Sequence, residues 1–191
     1  MFYSFYTVPI AVLWLAWLAY WLIAARNVKA TQRREPATTL LLNRVFVIIG
    51  ALLLIFPHPP LHWLGQRFIP PGIAAYALGL AMVAAGLGFA VWARIYLGRN
   101  WSGTVTVKQD HELIRSGPYG LVRHPIYSGL LFALLGTAIA IGEWRGLFAF
   151  AAIAIGFLLK INIEERFMGE TFGVQYARYR AEVPALIPFI V

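Results

Sequence analysis

The stretch GIAAYALGLAMVAAGLGFAVWA, Gly72–Ala93, carries no charged residue from end to end. A helix needs about 20 apolar residues to cross the hydrocarbon layer of a bilayer, so this run predicts a transmembrane helix. Four further runs of the same kind flank it. They cover Tyr6–Ala25, Leu40–Phe56, Pro125–Ile141 and Gly146–Ile163, and Gly142-Glu143-Trp144-Arg145 forms a tight hairpin between the last two. Arg44 lies close enough to the start of its span to snorkel to the surface. The expected fold is an all-α integral membrane protein of about five transmembrane helices, spanning residues 1–191 as one membrane domain.

Composition agrees. Hydrophobic residues make up 60% of the 191 and charged residues only 13%, against about a quarter charged in a soluble domain. The chain has no cysteine, which excludes disulfides, thiol catalysis and cysteine-ligated metals. The net charge of +8 is spread beside hydrophobic runs and not along a soluble basic face, which argues against nucleic acid as a partner. The apolar N-terminus lacks a basic leader, so it is expected to be a retained first helix.

The basic residues set the orientation. Arg26, Lys29, Arg33, Arg34 and Arg44 flank the first loop, and Arg94, Arg99, Lys108, Arg115 and Arg123 the third. Lys160, Arg166, Arg178 and Arg180 follow the last span. Only Arg67 and Arg145 fall in the other two loops, so fourteen of sixteen basic residues lie on one side. By the positive-inside rule that side is the cytoplasm. The N-terminus is then outside and the C-terminus inside, in a multi-pass protein expected in a prokaryotic inner membrane.

Small residues four apart, Ala75 with Gly79 and Ala84 with Gly88, would let the third helix approach a neighbour closely. Packing within the monomer is the first reading, and a homodimer face the second. His58 and His62 are four apart but separated by prolines, which break a helical metal face. No metal is expected there.

Polar chemistry concentrates in three blocks. In Ser116-Gly-Pro-Tyr-Gly-Leu-Val-Arg-His-Pro-Ile-Tyr-Ser-Gly129, Pro125 suits the first position of a helix. Arg123 and His124 stand at its mouth, and Tyr127 and Ser128 about a turn inside. The amides of such a helix start favour an anion; the plainer reading is a helix start with interfacial Arg and Tyr. In the second block, Lys160 and Glu164 are four apart and share a helix face. Ionisable groups at membrane depth mark function, although an interfacial ion pair would look the same. The third block, Phe172–Tyr179 followed by Val183-Pro184 and Ile187-Pro188, reads as an amphipathic surface helix with a proline-bounded apolar tail.

Together the blocks resemble the isoprenylcysteine carboxyl methyltransferase family and, more broadly, the membrane phospholipid methyltransferases. The resemblance rests on Arg123-His124-Pro125-x-Tyr127-x-Gly129, the Glu164-Glu165 pair, and Phe172-Gly173 with Tyr176, Tyr179, Val183-Pro184 and Ile187-Pro188. It covers roughly Asn100 to the C-terminus. It implies a methyltransferase whose cofactor is S-adenosyl-L-methionine, held by a cytoplasmic part of about residues 98–191. The methyl acceptor would be lipid-like or prenylated, entering by a lipid-accessible tunnel.

Carried over by position, His111, Leu113, Ile114, Tyr119, His124, Pro125, Ile126, Tyr127 and Glu164 are the expected cofactor contacts. Lys160 and Glu164 are the expected catalytic residues. Lys160 falls where the eukaryotic carboxyl methyltransferases carry a substrate-binding Arg, and a lysine lacks the fork that grips a carboxylate in two places. A phospholipid or other lipid-amine N-methyltransferase is the alternative acceptor class. A non-catalytic lipid-binding protein of the same fold is the alternative outside enzymes. A membrane sterol reductase would need more spans.

Overall fold

Each apolar run folds as a helix. The computed structural model describes residues 2–26, 31–34, 37–56, 61–101, 106–108 and 113–188. The helices are α1 (Phe2–Ala24), α2 (Ala37–Ile55), α3 (Ile73–Leu97), α4 (Pro125–Ile141), α5 (Trp144–Phe172) and α6 (Val174–Glu182). α2, α3 and α5 are long and apolar enough to cross a membrane, while α4 and the Val8–Ala24 part of α1 are shorter apolar helices. Leu41, Ile48 and Leu52 of α2 project outward. Such a band of apolar surface is stable only where the surrounding medium is itself apolar.

Two helices outrun the expected spans at their C-terminal ends. α3 continues through Arg94, and α5 runs on from Ile163 to Phe172. A helix need not stop where the hydrocarbon does, so Lys160, Glu164 and Glu165 share one continuous helix with the apolar run. Gly142, in the left-handed conformation at φ 67°, caps α4 and allows the immediate turn into α5.

α3 and α4 make the most extensive helix pairing, and α2 lies on α5. Close approach of α3 and α4 depends on glycines: a side chain at Gly79 would meet the Gly136 carbonyl, and one at Gly86 the Gly129 carbonyl. Each pair is seven residues apart on its own helix, two turns, so both return to the same face. This corrects part of the expected small-residue pattern. Gly79 is at the interface, but Gly88 has open space around it, and Gly86 is the second contact. The close packing lies within the monomer.

Two arginines that look like loop charges are built into the fold. Arg94 is buried and donates to the carbonyls of Ala24, at the end of α1, and Gly98, each at 2.6 Å. Arg145 is buried at the opposite end. It donates to Glu143 at 2.6 Å and to the carbonyls of Leu53 and Leu54 at 3.0 Å. Both satisfy terminal carbonyls that a helix cannot pair itself.

The connecting loops pair across the bundle. A short antiparallel ribbon joins β1 (Thr31–Arg34) to β2 (Thr106–Lys108), with Thr31 opposite Lys108. It adds strand to a chain expected to be all-helical. At the other end Arg67 bridges Glu143, and the Phe68 amide donates to the Gly142 carbonyl at 2.9 Å. The α1–α2 loop thus meets the α3–α4 loop, and the α2–α3 loop meets the α4–α5 turn.

Candidate active site

Pro125 begins α4 and puts His124 at its N-cap. The chain just before it is fixed by the C-terminal segment: the amides of Arg123 and His124 donate to the carbonyls of Pro184 and Ala185 at 2.8 and 3.0 Å. Ser128 adds a third tie, its Oγ donating to the Leu186 carbonyl at 2.6 Å. The tail expected to lie apolar on the surface is instead docked against α4, and it takes up the N-cap amide of His124, one that an anion could have used. α6 buries Tyr176 and Tyr179, and Tyr179 donates its phenol proton to the Tyr119 carbonyl at 2.6 Å. Burial pushes the Tyr176 phenol up and Tyr179 to about 12, so both stay neutral.

α5 brings the acidic pair to this junction. Glu165 Oε1 accepts hydrogen bonds from Arg123 Nε and His124 Nε2, both at 2.8 Å. Arg180 Nε lies 3.6 Å from its other oxygen, Oε2, which is buried and accepts no hydrogen bond among the described residues. Arg123 also donates to the Arg180 carbonyl at 3.2 Å and to that of Val183. Glu164 faces the neighbouring wall. It accepts the Tyr127 phenol proton at 2.5 Å, and its second oxygen lies 3.4 Å from His124 Nδ1. Lys160 Nζ stands over the Tyr127 ring, 5.6 Å from its centroid.

His124 therefore sits between two carboxylates, one at each ring nitrogen. A neutral imidazole would turn a lone pair toward one of them, so the ring is held doubly protonated. Burial opposes that charge, but hydrogen bonds to Glu164 and Glu165 outweigh it and raise the pKa. A raised pKa contributes stability that is complete below the ordinary value of about 6.5 and is lost as pH climbs through the folded-state value. Thermal midpoints of wild type and His124→Gln, measured across that range, should converge as pH rises. A constant difference would mean that the imidazolium charge contributes nothing.

The expected residues divide into two groups. His124, Tyr127, Lys160 and Glu164 come together. Tyr119 and Ile126 are buried in the core cluster with α3, and Ile114 packs against that cluster, while Leu113 packs on Tyr176 and Tyr179. Pro125 is fully buried. His111 and His58 lie outside the described residues. Glu165, with Arg123, His124 and Arg180 around it, is not among the expected site residues, although the Glu-Glu doublet marks the place. Beside the junction an apolar groove of about 640 Å³ runs along α3, α4 and α5. Phe89, Phe132, Leu135, Phe150 and Ile187 line it, together with Ser128.

A model of the phospholipid methyltransferase family matches residues 74–175. Protein-S-isoprenylcysteine O-methyltransferase B of Arabidopsis thaliana is 30% identical over 143 residues, covering 73% of this chain and 68% of that protein. A probable protein-S-isoprenylcysteine O-methyltransferase of Oryza sativa subsp. indica is also 30% identical, over 83% of this chain and 84% of its own. Among solved structures, the eukaryotic intramembrane Ras methyltransferase, isoprenylcysteine carboxyl methyltransferase, superposes with a TM-score of 0.52 at 26% identity. That match covers 82% of this chain and 54% of the other, so the chain spans about half of that structure. An apolar helical bundle, an acidic pair clamped to an Arg-His-Pro helix start and these relatives lead to one assignment: the chain is an integral membrane protein of the phospholipid methyltransferase family, akin to the isoprenylcysteine O-methyltransferases.

Proposed function

We propose that the chain is an S-adenosylmethionine-dependent methyltransferase that esterifies the carboxylate of a lipophilic, isoprenylcysteine-like acceptor at the cytoplasmic membrane face. The observation that carries this reading is the junction of Glu164 and Glu165 with Arg123, His124 and Tyr127. It collects the chain's chemistry-bearing residues at one end of the bundle. The cofactor carries a sulfonium and an ammonium and needs acidic partners. Glu164 fits that need, as does Glu165 Oε2, which is buried without a hydrogen bond among the described residues and has Arg180 Nε 3.6 Å away; the site would draw on about residues 98–191, as the resemblance implies.

When bound, the cofactor supplies a methyl already activated by its positive sulfur, and positioning provides much of the remaining catalysis. Glu164 would hold the cofactor's cationic part. Lys160, one turn earlier on the same face, would orient an acceptor carboxylate. The apolar groove, which Ser128 helps to line, suits the hydrocarbon portion; its volume is within the roughly 300–1,000 Å³ of ligand sites. Its apolar walls would also keep water from competing.

The charge state of the site favours a carboxylate over an amine. A carboxylate attacks without a base, whereas an amine must arrive deprotonated. His124 is already doubly protonated between its two carboxylates, and Glu164 is taken up by Tyr127 and His124.

Five spans with the N-terminus outside are part of the same reading. The loop pairings support it, since alternate loops of a five-span chain fall on the same side and these loops join in that pattern. The Glu143 partner of Arg145 also offsets one of the two basic residues on the outer side.

The acceptor class can be read chemically. Purified protein in detergent would be given methyl-labelled S-adenosylmethionine with either N-acetyl-S-farnesylcysteine or phosphatidylethanolamine. Label transferred to the prenylcysteine and released as methanol by mild alkali is the expected result. Alkali-stable label on the amine lipid would replace this reading with the N-methyltransferase one, and no transfer to either would remove support from both.

A further inference from the structure

Three residues of α5 converge on Tyr127. Phe157, Lys160 and Glu164 are three and four apart and so share a helix face, and each meets a different part of the tyrosine. The Phe157 ring centroid lies 5.0 Å from that of Tyr127, and Lys160 Nζ stands 5.6 Å from the Tyr127 centroid, over the ring. Glu164 takes the phenol proton at 2.5 Å, and the His124 ring lies 5.9 Å away, tilted by 30°. An aromatic face is electron-rich and attracts a cation within about 6 Å, more strongly where water is excluded. A carboxylate at the phenol end adds to the attraction. The His124 imidazolium beside the ring is already paired with Glu164 and Glu165, and the second cation, over the ring, is the chain's own Lys160.

We propose that the face of Tyr127 is a cation seat, held by Lys160 in the cofactor-free protein and yielded to the cofactor's sulfonium on binding. The inference rests on the S-adenosylmethionine reading above. It adds a means of telling cofactor from product. The sulfur is positive before methyl transfer, and the thioether left afterwards is neutral. A seat that binds through charge and an aromatic face holds the first and not the second, and Lys160 returns when the charge is gone. Lys160 is displaced toward the acceptor only while a charged cofactor is in place. Loading of the cofactor and capture of an anionic acceptor are therefore linked through one side chain.

The test reads binding, not turnover. The full chain in detergent is titrated calorimetrically with S-adenosylmethionine and, separately, with S-adenosylhomocysteine. The readout is the ratio of the product Kd to the cofactor Kd. Tyr127→Leu should lower that ratio about fivefold, chiefly by weakening the charged ligand. Tyr127→Phe, which keeps the face and loses the hydroxyl, should retain most of it. Lys160→Met should raise the ratio, because the resident competitor is gone and only the charged ligand had to displace it.

A ratio unmoved by both Tyr127→Leu and Lys160→Met overturns the proposal while leaving the cofactor reading intact. Failure of the wild type to bind either ligand defeats the cofactor reading, and this proposal with it. Should Tyr127→Leu not fold, as loss of binding to both ligands together with a lost thermal transition would show, Lys160→Met decides. A higher ratio supports the seat, and an unchanged or lower one contradicts it.

Discussion

Arg123→Ala should lower the thermal midpoint of the detergent-solubilised protein by roughly 10 °C. The side chain is almost wholly enclosed, at 9% exposure, and holds three elements together. Its Nε meets Glu165 of α5, and the same guanidinium donates to the carbonyls of Arg180 on α6 and Val183 just beyond it. Truncation leaves the Glu165 carboxylate, itself only 12% exposed, with His124 at 2.8 Å and Arg180 at 3.6 Å as its remaining cationic partners among the described residues. Breaking one side of a buried pair costs about 3–5 kcal/mol, because the other charge stays desolvated. Arg123→Lys should recover little, since a single ammonium cannot reproduce a planar fork that serves a carboxylate and backbone carbonyls together. Arg123→Met combined with Glu165→Met should be less damaging than the sum of the two single changes. A fall of only a degree or two for Arg123→Ala would show that the C-terminal segment docks without it.

Glu164→Gln should separate binding from folding. The substitution keeps the shape of the side chain and still offers Tyr127 an acceptor, so the cofactor-free protein should still melt cooperatively, at a midpoint lowered only by the lost charge beside His124. A hydrogen bond to a charged group is worth about 1.5–3 kcal/mol, so the cofactor Kd should rise by roughly tenfold or more. Glu170→Gln, an exposed position on the same helix, is the matched control and should change neither quantity. Equal and small effects of both substitutions on cofactor affinity would return Glu164 to the role of an ion partner for His124.

The helices are legible in the sequence because a bilayer imposes a length on apolar runs, and α4 begins and ends where Pro125 and Gly142 place it. Their ends are less legible where a charge looks like a boundary. Arg94 and Arg145 read as loop residues, but each turns inward to satisfy the carbonyls of another helix's end, and only the packed partner reveals that. The ribbon of Thr31–Arg34 and Thr106–Lys108 is too short and polar to announce itself. At the site, the helical spacing of Lys160 and Glu164 brings them to one face, and the Arg-His-Pro-x-Tyr order puts His124 and Tyr127 at one mouth. Glu164 and Glu165 could not be told apart in advance. Adjacent residues point about 100° apart around a helix, so which carboxylate meets Tyr127 and which meets Arg123 depends on how α5 is rotated against α4. Gly86 went unrecognised for a similar reason. The small-residue spacing was read at four, while the packed pair repeats at seven.

The central claim is that this membrane bundle has a built S-adenosylmethionine site, and the most direct measurement is the thermal midpoint of the wild-type protein with and without that cofactor. At about one hundred times its Kd, a ligand that binds only the folded state adds about 2.7 kcal/mol of stability. For a chain of this size that corresponds to a rise of roughly 5–10 °C, and this rise is the predicted result. An unchanged midpoint at millimolar cofactor, in protein that still melts cooperatively, would contradict the account.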